Sequence, residues 1–247
     1  MEVHSLIRRA AHHIESLVLR NVTQPWRSHR HFEEYYLGRL LQALDVDCVL
    51  DVGANIGQYG ILLREYSHYE GRIISFEPTP QARSRLIEAS ANDPLWNIRE
   101  FALGNFTGRS TFRTMPAFSV GNSFLPLRQE DQPEIAEIEV EVRRLSDVLP
   151  ALQNEYGYSR PFLKMDTQGF DLEVFLGAEG VLDTIVGLQS ELSVEAFYEG
   201  APNWLEALNT YQKAGFALST FVSNNVDWFP RMREVDCIMY RPAKIVN

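Results

Sequence analysis

The chain has 247 residues, of which 45% are hydrophobic and 23% are charged. This length and composition suit one α/β domain with a substantial buried core. The formal net charge of −10 argues against a nucleic-acid partner, since such binding depends on basic side chains that neutralise phosphates.

Cysteine usage and hydropathy narrow the class of protein further. Cys48 and Cys237 both lie in apolar, strand-like runs, so we expect reduced, buried thiols and neither a disulfide scaffold nor a zinc site. The sequence has no run of about eighteen apolar residues and no leader with a small-residue cleavage site. We therefore expect no integral membrane segment and a cytoplasmic location.

The first 44 residues precede the regular strand and helix pattern, and we interpret 1–44 as an N-terminal helical extension. Apolar residues recur at helical spacing between Leu6 and Val18, which predicts an amphipathic helix. We expect this helix to pack on the domain or on a second subunit, and the second arrangement would give a homo-oligomer. An alternative is a lid over the ligand site, with Tyr35 and Tyr36 facing it.

From residue 47 onward, apolar runs alternate with amphipathic stretches, which predicts a doubly wound, mostly parallel, seven-stranded α/β sheet in one domain, 45–247. The predicted strands are 47–52, 72–76, 97–102, 161–166, 185–191, 216–222 and 234–241. The predicted helices are 57–67, 80–91, 171–177 and 203–214. Between the third and fourth strands, Ser110–Thr114 and Ile138–Arg143 alternate as strands, which predicts a β-hairpin flap around the loop 115–132.

The first predicted strand ends in a glycine-containing loop that indicates a nucleoside ligand. Residues 49–57 read Val-Leu-Asp-Val-Gly-Ala-Asn-Ile-Gly, and the next strand ends at Glu77. Small residues in such a loop let backbone amides approach a ligand closely, and a carboxylate at the tip of the next strand can accept both ribose hydroxyls. An ordinary strand-turn-helix unit with a tight glycine turn is the plainer alternative for the loop alone.

The spacing of the loop discriminates between nucleoside ligands. Gly53 and Gly57 lack the third glycine of a dinucleotide fingerprint, and Asp51 would repel a phosphate. Gln58 stands where a P-loop would need lysine. The pattern disfavours a dinucleotide-dependent oxidoreductase and is similar to that of the class I S-adenosylmethionine-dependent methyltransferases, whose cofactor is a cationic sulfonium without phosphate.

Four further segments carry a closer resemblance. Phe76-Glu77-Pro78, Ala102-Leu103-Gly104-Asn105, 163–169 (Leu-Lys-Met-Asp-Thr-Gln-Gly) and 173–178 resemble, in this order, the FkbM family of methyltransferases. The similarity spans about residues 45 to 241. It implies a Rossmann-like fold, S-adenosyl-L-methionine as cofactor, and methylation of hydroxyl oxygens on sugars and polyketide-type natural products. The expected partner is a small hydroxylated acceptor.

The loop pattern and the resemblance together indicate which residues form the site. The expected cofactor-binding residues are Asp51, Gly53, Ala54, Asn55, Gly57, Glu77, Pro78, Ala102, Leu103 and Asp166. The expected substrate-binding residues are Asn122, Ser123, Gln168 and Tyr198.

Strand ends also supply candidates for catalysis. Asp51, Glu77, Ala102, Asp166 and Glu191 fall at carboxyl ends of predicted strands, so four carboxylates would surround one crevice. Asp166 is the candidate general base and Glu191 the second. Together they can instead hold a divalent metal such as Mg²⁺. The sequence does not distinguish a role as general base from a role as metal ligand.

Two questions remain open from the residues alone. Lys164 shares a sheet face with Asp166, and we expect its ammonium group to pair with a carboxylate rather than act on a ligand. A nucleoside-binding module without catalysis, or a methyltransferase of another small-molecule class, would show the same loop. Retention of both Asp166 and Glu191 favours the enzyme.

Overall fold

The computed structural model describes residues 26–115, 121–128, 135–223, 228 and 230–246. The helix predicted between Leu6 and Val18 lies outside these residues. The strands are β1 Cys48–Val52, β2 Arg72–Phe76, β3 Trp96–Arg99, β4 Ala102–Leu103, β5 Gly108–Thr114, β6 Ala136–Arg143, β7 Pro161–Met165, β8 Gly187–Ser193, β9 Ala217–Ser223 and β10 Glu234–Tyr240. The helices are α1 Trp26–Ala43, α2 Gln58–Ile61, which continues as a π-helical turn Leu62–Tyr66, α3 Pro80–Ser90, α4 Leu145–Tyr156, α5 Asp171–Leu176 and α6 Trp204–Lys213.

Seven strands form the main sheet in the order β3-β2-β1-β7-β8-β10-β9. All neighbours are parallel except β10, which runs antiparallel to β8 and β9. The predicted doubly wound, mostly parallel sheet is confirmed. The direction of winding reverses between β1 and β7, and ligands of such sheets bind beyond the carboxyl ends of the strands at this point.

The two central strands explain the apolar runs of the sequence. Every residue of β1 and β7 is buried, as expected for parallel strands that are covered on both faces. Asp51 and Lys164 are the charged exceptions, and they are direct partners in the β1–β7 register. Their side chains therefore leave neighbouring strands side by side.

The predicted strand 97–102 is divided between two sheets. Its first part is β3 of the main sheet, whereas Ala102–Leu103 is β4 and pairs with β6. The second sheet has the order β4-β6-β5, and its antiparallel β5–β6 hairpin forms the predicted flap. One apolar run cannot reveal that its two ends pair with different strands, because pairing is a long-range property.

Sequence reasoning missed helix α4, although the signal was present. Leu145, Val148, Leu149 and Leu152 are all buried and follow helical spacing. Pro150 inside this helix weakens the local helical preference.

Helix α1 packs on the domain as part of its second hydrophobic cluster, through the buried side chains of Leu37 and Leu41. A Cβ atom at Gly38 would lie 2.6 Å from the carbonyl oxygen of Ser67, so the helix approaches the π-helical turn closely. Ser67 Oγ also donates a hydrogen bond of 2.9 Å to the carbonyl oxygen of Glu34. These contacts hold α1 at one defined place.

Cys48 and Cys237 are buried free thiols. Among the helices that the structure describes, none combines the length and the hydrophobicity that a membrane span requires.

Candidate active site

A cleft of about 240 Å³ lies beyond the carboxyl ends of the central strands. The β1–β2 half of its wall is formed by the loop after β1 and by Glu77 and Pro78. Lys164 and Asp166 come from the region of β7, which lies between β1 and β8 in the sheet. Gln189 of β8, Asp236 of β10 and Glu33 of α1 complete the other half. The flap and β4 contribute Asn122, Phe112, Phe124, Ala102 and Leu103.

The loop after β1 is held against both neighbouring strands. Gly53 and Ala54 donate backbone hydrogen bonds of 3.2 Å to the carbonyl oxygen of Phe76. Gly53 has a φ of 76°, and a Cβ atom there would lie 2.0 Å from the carbonyl oxygen of Asp166. Only glycine permits this approach, so a larger residue at Gly53 would displace the Asp166 backbone as well as any ligand.

Gly57 has a different place from the other loop residues. It precedes α2 with a φ of 96°, and a Cβ atom there would contact Leu86 and Trp96 at 3.1–3.3 Å. It packs beneath the loop and does not line the cleft. Its conformation directs the chain into the helix.

Glu77 is buried, with 6% of its surface exposed. Its Oε1 accepts hydrogen bonds from the Thr79 backbone N–H at 2.8 Å and from the Thr79 hydroxyl at 2.6 Å. Its Oε2 accepts one from the Asn55 backbone N–H at 2.9 Å. Burial raises the pKa of this carboxyl group, and the three donors oppose the rise.

Asn55 provides an unsatisfied polar atom on the same wall. Its backbone has a φ of 48°, a conformation that most non-glycine residues avoid. Its Oδ1 is buried and has no hydrogen-bond partner within the part of the chain that the structure describes. Since buried acceptors in native proteins are nearly always satisfied, a ligand donor fits this position.

Asp51 lies beneath the cleft rather than in its wall. Its side chain is completely buried, Ser75 Oγ donates to its Oδ2 at 3.0 Å, and Lys164 Nζ lies 3.1 Å from its Oδ1. The sequence-based expectation that Lys164 pairs with a carboxylate is confirmed. Asp51 acts on the cleft through Lys164, which is itself a lining residue.

Asp166 is the carboxylate that the cleft exposes, with 43% of its side chain accessible. Its Oδ2 lies 3.5 Å from Lys164 Nζ, and its Oδ1 accepts a hydrogen bond of 3.1 Å from Gln168 Nε2. Two donors from different positions therefore orient this carboxylate, while a large part of it remains accessible to a ligand.

Gln168 connects several of the sequence-predicted residues. Its Nε2 also donates to Glu191 Oε2 at 3.0 Å, so one amide lies between the two carboxylates. The Tyr198 hydroxyl donates to Gln168 Oε1 at 3.0 Å, and Ser123 Oγ donates to the Gln168 carbonyl oxygen at 2.8 Å. The φ of 54° at Gln168 is held by these contacts. Ser123, Tyr198 and Glu191 thus support Gln168 and do not line the cleft.

The metal alternative finds no suitable donor set here. Within the ranges that the structure covers, no group of three or more His, Cys, Asp and Glu side chains is arranged to hold a metal ion. Between Asp166 and Glu191 stands the N–H₂ group of Gln168, a donor that a cation would have to displace. Asp166 and Glu191, as they are placed here, do not fit a divalent metal.

Sequence reasoning missed the residues of the far wall. Gln189 lies two residues before Glu191 on the same face of β8, and Asp236 is the direct partner of Glu191 in the β8–β10 register. The place of Gln189 and Asp236 in the cleft could not be predicted without knowledge of the strand order. Glu33 had no signal at all, because its place in the cleft depends on where α1 packs. Tyr35 is 65% exposed and Tyr36 donates to Ser219, so Glu33 is the residue in the cleft among the described side chains of α1.

The sequence matches a family model described as "Methyltransferase FkbM domain" over residues 51–218. No curated protein sequence matches the chain significantly.

Solved structures to which the chain is similar include a methyltransferase FkbM from Methylobacillus flagellatus KT, with 17% identity and a TM-score of 0.49 over 79% of this chain and 44% of that one. The N-methyltransferase NodS from Bradyrhizobium japonicum WM9 has 9% identity and a TM-score of 0.49, over 89% and 98% of the two chains. Aeropyrum pernix fibrillarin, solved with natively bound S-adenosyl-L-methionine, has 10% identity and a TM-score of 0.44, over 78% and 66%. The chain thus spans less than half the length of the Methylobacillus protein.

The family model covers well over half of the chain and includes the loop after β1, Glu77, Lys164, Asp166 and Gln168. The chain belongs to the FkbM family of S-adenosylmethionine-dependent methyltransferases.

Proposed function

We propose that this protein is an O-methyltransferase that acts on a hydroxyl group of a sugar or of a glycosylated or polyketide-type natural product. The observation that carries the proposal is Asp166, a partly exposed carboxylate at the winding reversal of the sheet, in the cleft. A hydroxyl group is a weak nucleophile, and a carboxylate that accepts its proton as the new bond forms accelerates such reactions by about 10²–10⁴-fold.

The β1–β2 half of the cleft suits the cofactor. Glu77 presents a carboxylate oxygen for ribose hydroxyls, and the buried Oδ1 of Asn55 suits a ligand donor. Glu77 and Asp166 both contribute carboxyl groups to the lining of the cleft, which suits a cationic ligand. The sulfonium of S-adenosylmethionine is such a cation. When bound, this cofactor would supply an electrophilic methyl group.

Asp166 would accept the proton of the acceptor hydroxyl at its exposed carboxylate. Lys164 and Gln168 hold this carboxylate in one orientation, so that little reorganisation is needed when the acceptor arrives. Phe112 and Phe124 of the flap give the cleft an apolar cover. Such a cover excludes water and strengthens the electrostatic contacts beneath it.

Two measurements test the proposal. The first is calorimetric titration with S-adenosylhomocysteine and, separately, with NAD, and we expect binding of the first alone. The second is incubation of the protein with labelled S-adenosylmethionine and a metabolite extract of the source, followed by mass spectrometry of the labelled product. Label on a hydroxyl oxygen supports the proposal, and label on nitrogen or carbon contradicts it. Cofactor binding without any labelled product would favour a binding module without catalysis.

A further inference from the structure

We propose that Asp171 is a positioning residue for the methyl transfer, because its buried carboxylate fixes the backbone that carries Asp166 and so holds this base where the acceptor arrives. The inference rests on the proposed function, since Asp171 would act through Asp166. Asp171 is the first residue of α5, and 4% of its surface is exposed. It does not line the cleft, so it would act without touching a ligand.

One oxygen of the Asp171 carboxylate is bound to the residue that follows Asp166. Its Oδ1 accepts hydrogen bonds from the Thr167 backbone N–H at 2.7 Å and from the Thr167 hydroxyl at 2.5 Å. The Asp166 backbone N–H donates to the carbonyl oxygen of Val52 at 3.1 Å. The backbone of Asp166 is therefore held by β1 on its N-terminal side and by Asp171 on its C-terminal side.

The turn between Asp166 and Asp171 has a backbone conformation that needs outside support. Gln168 has a φ of 54° and Gly169 a φ of 87°, so two successive residues are left-handed. This conformation is unfavourable for Gln168 and persists only where surrounding contacts enforce it. The bonds between Thr167 and Asp171 join the two ends of the turn. Gln168, whose amide orients Asp166, is thereby held within it.

The other oxygen of the carboxylate joins the same turn to the neighbouring strand. The pairing of β7 with β8 ends at Met165 and Ser190. Directly at this end, Asp171 Oδ2 accepts hydrogen bonds from the Ser190 hydroxyl at 2.9 Å and from the Glu191 backbone N–H at 3.0 Å. The carboxylate thus continues the connection between the two strands beyond their last paired residues.

A buried hydroxyl group of α6 supports this arrangement from the core. Tyr211 is completely buried, and its Oη lies 2.9 Å from Ser190 Oγ. The Ser190 hydroxyl directs its single hydrogen to Asp171, so the Tyr211 hydroxyl is the donor in this contact. A chain of hydrogen bonds therefore leads from Tyr211 through Ser190 to the Asp171 carboxylate.

The two oxygens of Asp171 accept four hydrogen bonds, which is about the number that an ionised carboxylate can accept. Such bonds compensate the cost of burying a charge. They also fix the turn after β7 against the end of β8. Since a displacement of about 1 Å in a reacting group can lower the rate about 10²-fold, loss of these bonds should reduce turnover more than ligand binding.

The test compares Asp171→Asn and Asp171→Ala with Val174→Ala, a matched control in the same helix. Val174 is completely buried, so its truncation disturbs the packing of α5 and removes no acceptor from the turn. Asp171→Asn keeps one acceptor oxygen, whereas Asp171→Ala keeps none. Amide hydrogen exchange, thermal unfolding and calorimetry with S-adenosylhomocysteine are measured on each full-length variant, and none of them requires the acceptor.

The exchange measurement tests whether the carboxylate holds the turn. We expect the backbone amide of Thr167 or of Glu191 to exchange about ten-fold faster or more in Asp171→Asn, relative to the amides of β7, because one of them loses its acceptor. Both should do so in Asp171→Ala, and neither in Val174→Ala. Unchanged exchange of both amides in Asp171→Asn would overturn the inference, and this variant decides the matter even if Asp171→Ala does not fold.

The kinetic measurement tests whether the turn positions the base. Initial rates are measured with labelled S-adenosylmethionine and a dilution series of the active extract fraction, at a temperature at which every variant is folded. We expect Asp171→Asn to lower kcat about ten-fold or more, while the apparent KM for the fraction and the S-adenosylhomocysteine affinity stay within a few fold. Val174→Ala should retain most of the wild-type kcat. An equal loss of kcat in Val174→Ala would assign the effect to general stability and overturn the inference.

The double variant Asp166→Asn/Asp171→Asn tests whether Asp171 acts through Asp166. A positioning residue has no effect once the base that it positions is absent, so the double variant should have the turnover of Asp166→Asn. A further loss as large as that in the wild-type background would contradict the inference. If the wild type forms no labelled product, the proposed function fails and the positioning role fails with it. Normal product formation with an unchanged kcat in Asp171→Asn contradicts this inference alone.

Discussion

The ammonium group of Lys164 lies 3.1 Å from Oδ1 of Asp51, and both side chains are buried between the two central strands. Lys164 also lies 3.5 Å from Asp166, the carboxylate that the cleft exposes. Burial favours the neutral amine, but Asp51 and Asp166 reverse this effect and raise the pKa of Lys164. One buried cation thus joins the core of the sheet to the candidate active site.

Removal of this cation should destabilise the fold. In Lys164→Met, Asp51 keeps its charge in the core without a counter-ion, and the loss of one partner of a buried pair costs about 3–5 kcal/mol. We expect a decrease of this size in the free energy of unfolding, measured by denaturant titration. The double variant Asp51→Asn/Lys164→Met should recover a large part of the loss, because no lone charge remains. Equal stability of wild type and Lys164→Met would show that the pair is not important to the core.

Asp166→Asn should separate catalysis from cofactor binding. The substitution preserves the shape of the side chain and removes the proton acceptor, so turnover should decrease by at least about 10²-fold, while S-adenosylhomocysteine affinity stays within a few fold. Asp183→Asn, at a fully exposed carboxylate, is the matched control. Near-normal turnover in Asp166→Asn would place the chemistry elsewhere. Activity of the wild type should also be indifferent to EDTA, and loss that magnesium restores would revive the metal alternative.

Glu77→Gln should weaken cofactor binding. The Glu77 carboxylate accepts hydrogen bonds from the backbone N–H groups of Asn55 and Thr79, and it lines the cleft. The glutamine amide has no negative charge to offer the ribose hydroxyls. It also places an N–H₂ donor opposite the N–H donors of the protein. A hydrogen bond to a charged group contributes about 1.5–3 kcal/mol, which corresponds to a loss of affinity of about 10–150-fold. Calorimetry with S-adenosylhomocysteine measures it. Glu88→Gln, at an exposed position of α3, serves as control, and wild-type affinity in Glu77→Gln would remove Glu77 from the cofactor site.

Glu191→Gln should stabilise the protein at high pH. Burial, followed by the charges of Asp166, Glu234 and Asp236, raises the pKa of Glu191 well above its usual value. Because the pKa of this carboxyl group is higher in the folded protein than in the unfolded chain, protonation of Glu191 stabilises the folded state. This contribution to the free energy of unfolding is lost as the pH rises through the folded-state pKa. Glutamine resembles the protonated acid and keeps an oxygen for Gln168.

The variant should therefore have a higher unfolding midpoint than wild type at pH 8, and the difference should diminish toward pH 4–5, near the ordinary pKa of glutamate of about 4.3. Glu179→Gln, at an exposed position, should show no such trend. A constant difference across this range would mean that Glu191 does not titrate there.

Much of the fold and half of the candidate site could be predicted from local patterns. Hydrophobic runs and their spacing determine which segments become strands, and β1 and β7 appear as continuous apolar stretches because both faces of the sheet are covered. The loop after β1 and Glu77 were identifiable because short-range spacing sets their geometry. Lys164 was correctly expected to pair with a carboxylate, since alternate residues of a strand share a face.

Only the tertiary structure decided which distant residues complete the cleft. Glu33 and Gln189 form a hydrogen bond across 156 positions of the chain, and Gln168 and Glu191 across 23. Such contacts depend on the order of the strands and on how α1 packs, neither of which has a local signature. Sequence by itself therefore determined the family, the sheet and the position of the glycine-containing loop after β1, because these rest on neighbours along the chain. The far wall and the support of Asp166 arise only when distant segments fold together.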